Sequence, residues 1–165
     1  MGMIAFNRHI GVNLSAGEVP AHAPAPSEEG VEAALAAHLA SLGLLSRSIE
    51  IRYDRSTATV RVAGSVERQD QRERLVLCCG NVRGVAAVQD CLEVSVPSGA
   101  SRWRFVQPGD SFESIAMDAY RDAARSSDLR LANQPLIGDA TVPTVGWLLR
   151  IPPLDAQGIR LAGGR

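Results

Sequence analysis

Hydrophobic residues fall along this chain in blocks whose spacing changes from helical to strand-like and back. From Glu28 onward, Val31, Leu35, Leu39 and Leu42 repeat with the spacing of one helix face, and Gly43 ends the run. The next block has period two: in "SIEIRYD" Ile49, Ile51 and Tyr53 alternate with Glu50 and Arg52, and in "TATVRVAG" Ala58, Val60 and Val62 alternate with Thr59 and Arg61. These predict two half-buried strands joined through Asp54-Arg55-Ser56 as a hairpin. Ser65 reads as the cap of a second helix over about Glu67 to Cys79, ended by Gly80, with Leu75, Val76 and Cys79 facing inward. Val88, Leu92, Val94 and Val96 mark one face of a third strand. The predicted unit is αββαβ, with two helices on one face of a three-stranded sheet.

Two stretches without a periodic apolar face flank that unit: "SAGEVPAHAPAPSEEG" from Ser15 to Gly30, which reads as a linker, and the shorter "PSGAS" from Pro97 to Ser101. Beyond the second, "WRFV" predicts a strand, Pro108-Gly109 a turn, and Asp110 an N-cap whose Glu113 completes a capping-box pattern. Phe112, Ile115, Ala116 and Tyr120 supply a helix face, and Leu129, Leu131 and Ala132 belong to a second helix ending at Asn133-Gln134-Pro135. "WLLRIP" closes a βααβ unit as a strand. The chain is α+β and divides into a segment and linker over 1–27, a domain over 28–96, a linker over 97–102, a second domain over 103–153, and the tail "LDAQGIRLAGGR" over 154–165.

With 165 residues, 45% hydrophobic and 21% charged, the composition is that of a globular protein with one ordinary domain or two small ones. A net charge of −1 provides no basic field, so no nucleic-acid partner is expected. All 17 basic residues are arginine, and we attach no mechanism to that. No apolar run approaches the roughly 20 residues of a membrane span. "MGMIAFNRHIGVNL" carries no sustained hydrophobic region or small-residue cleavage site, so a cytoplasmic, monomeric protein is expected. Cys78, Cys79 and Cys91 lack CxxC or Cys/His ligand spacing and read as small core or surface residues rather than a disulfide or zinc framework. His9, His22 and His38 stand at no recognisable catalytic spacing from Ser, Cys or Asp. Asp110 with Glu113 reads as a cap rather than an acid/base dyad, and Trp103 and Trp147 as core or edge-strand residues rather than sugar platforms. A non-enzymatic binding protein is expected.

The first unit resembles a BON domain: Gly64 after the second strand, then Val82, Gly84, Val85, Val88 and Asp90 in "GNVRGVAAVQDCLEV", occupy positions of that family's pattern. The second resembles a LysM domain through "FVQPGDSFESIAMDAY", "LANQP" and "LLRIPP". Their order, after a short N-terminal segment, is similar to that of bacterial cytoplasmic potassium-binding BON-LysM proteins. That resemblance implies K+ as the bound ion, with a role as sensor or buffer in osmotic or envelope stress. Potassium suits several neutral carbonyl oxygens that replace its hydration shell. The turn through Gly80 and Gly84, at the negative end of the second helix, offers such groups. The expected ligands are main-chain carbonyls of Gly80, Val82 and Val85, completed by Asn7 to Ile10 folding back. The LysM resemblance implies a competing function, peptidoglycan or N-acetylglucosamine binding by Gly109, Asp110, Ser111 and Phe112 together with Pro135, Leu136 and Ile137. The more Pro/Ala-rich linker, the absence of lysine and the added tail depart from that pattern.

Overall fold

A computed structural model describes residues 2–14, 26–155 and 158–159. His22, most of the first linker and most of the tail lie outside the described residues.

The first helix, α1 (Glu28–Ser41), starts where Ser27 Oγ accepts the Gly30 N–H at 3.1 Å, with Glu28 and Glu29 in its first turn. Leu35 and Leu39 carry the inward stripe and are fully buried. It leads to β2 (Ile49–Asp54) and β3 (Thr59–Arg68), which pair antiparallel with Ile51 opposite Val62 and Tyr53 opposite Val60. Gly64 is required there: its φ is +124°, and a Cβ would collide with the Ser48 carbonyl. Helix α2 (Gln69–Gly80) then carries the chain across to β4 (Ala87–Val96), which lies parallel to β3 with Val60 beside Val88.

Two boundaries differ from the sequence reading. Ser65 lies within β3 and caps nothing, because Ser65 to Arg68 continue the period of two, with Ser65 paired to Glu93, Val66 to Val94 and Arg68 to Val96 of β4. The helix starts four residues later than Ser65 and is capped by Gln71, whose Oε1 accepts the N–H groups of Arg68 at 3.0 Å and Glu67 at 3.1 Å. The sheet also has four strands rather than three: β1 (Gly2–Ala5) pairs antiparallel with β4, giving the order β1-β4-β3-β2. A strand of four residues holds too few alternations to announce itself as one.

After Val96 the chain enters a second lobe. Strand β5 (Arg102–Phe105) pairs antiparallel with β6 (Leu148–Ile151), and between them lie α3 (Phe112–Tyr120), a single 3-10 turn at Ala123–Arg125 and α4 (Ser126–Ala132). The cap of α3 is Ser111 rather than Asp110: Ser111 Oγ accepts the Ser114 N–H at 3.1 Å, and Ser114 Oγ accepts the Ser111 N–H at 2.9 Å. Asp110 is engaged elsewhere, accepting the Gln107 N–H at 2.8 Å and pairing with Arg104 at 3.0 Å. Leu131 is 53% exposed, so α4 buries Leu129 and Ala132 alone of the three. A short pair, β7 (Leu154–Asp155) with β8 (Gly158–Ile159), follows β6. The architecture is α+β, and one continuous apolar cluster runs from Phe6 and Val88 of the first lobe to Phe112 and Leu149 of the second. Among the described residues no helix is long and apolar enough to cross a membrane.

Candidate cation-binding region

The second helix runs its last turns through the core: Leu75 to Gly80 are all buried. Gly80 keeps ordinary helical backbone, and what demands glycine there is a neighbour, since a Cβ would overlap the ring of Phe6. Phe6 is held in place by its N–H bond to the Ala86 carbonyl at 2.8 Å, directly after β1. The chain then turns at Asn7, whose Oδ1 accepts the His9 N–H and whose carbonyl accepts the Ile10 N–H, both at 3.1 Å. From there it lies along the loop that follows α2. Gly84 N–H bonds the Arg8 carbonyl at 2.8 Å, Val12 N–H the Asn81 carbonyl at 2.8 Å, and Arg83 N–H the Val12 carbonyl at 3.0 Å.

Thus Asn7 and Ile10 stand on one strap and Gly80, Val82 and Val85 on or beside the loop it follows. Their carbonyls are not equally committed. Those of Asn7 and Val82 each accept one backbone bond, from Ile10 and from Val85, both at 3.1 Å. Those of Ile10, Gly80 and Val85 accept none from backbone N–H groups of the described residues. Every carbonyl has two lone pairs, and the helix end adds its partial negative charge. Arg8 and Arg83 stand on the same two segments, but both are exposed, where water and salt screen their repulsion of a cation. Among the described residues no three His, Cys, Asp or Glu side chains converge as a metal-holding group. Beside the loop, Val31, Ala34, Tyr53, Val82, Arg83 and Val85 contribute to a cavity of about 210 Å³.

The second lobe reaches this region at three places. Asn81, 3% exposed, donates through Nδ2 to the Leu77 carbonyl at 3.0 Å and the Leu148 carbonyl at 2.9 Å, and its Oδ1 accepts the Leu148 N–H at 2.9 Å. Asn133, at the end of α4, treats Arg150 the same way, so the edge of β6 turned away from β5 is closed by two buried amides. A Cβ on Gly146 would press on the Ile10 side chain and lie 3.2 Å from Asn7 Nδ2. Farther along α2, Glu73 and Arg150 form a buried pair at 2.8 Å. Burial pulls the Arg150 guanidinium down from its usual range, opposed by the charge of Glu73. Glu73 also accepts the N–H and hydroxyl of Ser101 at 2.8 and 2.6 Å, which pins the end of the second linker to the first lobe. Cys78 and Cys79 are core residues, with burial pushing the Cys78 thiol up to about 12 and that of Cys79 higher still.

Of the residues expected to hold a glycan, Phe112, Leu136 and Ile137 have their side chains in the core, while Gly109 is exposed and Asp110, Ser111 and Pro135 are half-buried. The N–H groups of Asp110, Ser111 and Ile137 are bonded within the protein, to Gln107, Ser114 and Asn133. Arg130 links the two loops, lying 5.7 Å from the Phe112 ring centroid and donating to the Ala140 carbonyl at 3.1 Å.

The residues that organise the loop after α2 and that sequence reasoning passed over are Phe6, Val12 and Asn81. Asn81 carried a signal, as an asparagine directly after the glycine that ends a helix; Phe6 and Val12 carried none. No family model matches the chain. It is 30% identical over 91 residues to the potassium binding protein Kbp of Escherichia coli O6:H1 (strain CFT073). The alignment covers 55% of this chain and 61% of that relative, so the likeness spans part of each protein.

Proposed function

We propose that this chain is a non-catalytic, cytoplasmic potassium-binding protein that holds the ion with main-chain carbonyls of Gly80, Val82 and Val85 together with those of Asn7 and Ile10. The observation that carries the reading is the strap: residues 7–12 are hydrogen-bonded along residues 81–84, which sets two distant parts of the chain side by side at a helix C-terminus. The similarity to a potassium binding protein supports the same reading. A large, weakly hydrated monovalent ion is satisfied by such neutral oxygens, and a smaller ion pays more to leave water than they return. The second lobe acts in this reading as a packing partner whose docking is favoured by the bound ion, which makes the protein a sensor or buffer of potassium under osmotic or envelope stress. A preference of about 1.4 kcal/mol for the docked arrangement shifts that equilibrium tenfold.

Calorimetric titration with KCl, RbCl and NaCl at fixed ionic strength tests the proposal. Saturable heats from potassium and rubidium with none from sodium are expected. Equal responses to all three would overturn it.

A further inference from the structure

We infer that the Asn81 side chain is the element through which cation uptake at the Gly80–Val85 loop and docking of the second lobe act on each other. The inference rests on the reading of that loop as a cation site. Asn81 stands between two of the expected ligands, Gly80 and Val82, and is anchored from three sides. Its N–H bonds the Leu77 carbonyl at 3.1 Å, its carbonyl accepts the Val12 N–H at 2.8 Å, and its amide grips the Leu148 N–H and carbonyl at 2.9 Å each. Both amide heavy atoms are engaged at 3% exposure, so the group cannot turn without stranding buried donors and acceptors. Rotation of the peptides on either side of Asn81, the motion by which carbonyls close on an ion, is therefore resisted or favoured by the position of β6. The converse holds equally, because coupling between two binding equilibria is reciprocal.

The other contacts between the lobes lack this property. Glu73 and Arg150 meet about two helical turns before the loop, and their hydrogen bonds run to each other, Gln69, Ser101, Ala132 and Asn133. Gly146 meets Ile10 and Asn7 by packing, which fixes no peptide orientation. Only Asn81, among the described residues, joins the loop, the strap and β6 by hydrogen bonds in one residue.

Amide-resolved hydrogen exchange on the full chain, in KCl and in NaCl of equal ionic strength, tests this without altering the protein. Potassium is expected to slow exchange at the Leu148 N–H, whose acceptor is Asn81 Oδ1, about fivefold or more, in step with Val12 and Gly84. Slowing at Val12 and Gly84 with Leu148 unchanged overturns the inference. In parallel, Asn81→Ala is expected to bind potassium about fivefold or more weakly, with a radius of gyration that no longer responds to the ion. The Glu73→Gln chain, loosened at a contact remote from the loop, is expected to keep that response. An Asn81→Ala chain that compacts with potassium as the native chain does overturns the inference and leaves the potassium reading standing. A native chain that takes up no potassium overturns both.

Discussion

Replacing Gly80 by alanine would ordinarily stabilise a helix, by about 1 kcal/mol for a Gly to Ala change in a helix interior. Here the opposite sign is expected. The backbone at Gly80 is helical and unstrained, so alanine gains its usual propensity, but its methyl group would overlap the Phe6 ring. Phe6 is 8% exposed and tied to Ala86 by its own N–H, so the ring cannot retreat while the strap stays in place. The cost is bounded by the alternative of expelling the ring, about 1.5 to 3 kcal/mol for a buried phenylalanine. Set against the gain in propensity, Gly80→Ala is expected to destabilise by about 0.5 to 2 kcal/mol. In a Phe6→Ala background the obstruction is gone and the same change is expected to stabilise by about 1 kcal/mol. Urea denaturation of the four proteins gives the cycle, with a coupling of about 1.5 to 3 kcal/mol between the two sites. If Gly80→Ala stabilises both backgrounds equally, the strap does not press on the helix end, and the placement of Asn7 and Ile10 beside the loop fails with it.

Three further outcomes follow from other contacts. Glu73→Ala leaves Arg150 charged and buried without its carboxylate, and is expected to cost about 3 to 5 kcal/mol in chemical denaturation, far above a surface pair. Residues 101–153 expressed alone lose the Asn81 and Glu73 partners of β6 and are expected to show a thermal midpoint well below that of the full chain, or no cooperative transition. For His38, burial lowers the folded-state pKa below 6.5, so protonation is easier in the unfolded chain. Its contribution to stability is whole above that value and fades as pH falls through it toward the lowered one. The decline in thermal midpoint between about pH 7.5 and 5.5 is expected to be shallower in His38→Gln than in the native protein.

What the amino-acid pattern revealed and what it concealed divide along a physical line. Helix α1, the hairpin of β2 and β3, and the core strand β4 were legible because each sets several apolar residues on one face, a signal that local periodicity carries, whereas β6 was legible as a short apolar run buried on both faces. Ends were less legible. Ser65 and Asp110 both have the chemistry of caps, yet Ser65 stays in a strand because of its neighbours in β4, and Asp110 answers Arg104 while Ser111 caps α3. Such choices depend on residues distant in sequence. The same is true of the loop after α2: glycines and a helix end drew attention to it, but the residue that demands Gly80 is Phe6, and the residue that ties the loop to the second lobe is Asn81. Neither contact leaves a periodic trace.

Anomalous scattering from crystals of the full chain grown in RbCl tests the central claim most directly, because rubidium replaces potassium at sites built from neutral oxygens and reports its own position. The account predicts a single strong peak enclosed by the main-chain carbonyls of Gly80, Val82 and Val85 and those of Asn7 and Ile10. A strong peak elsewhere on the protein, or none at this loop under conditions where calorimetry shows rubidium bound, would contradict it.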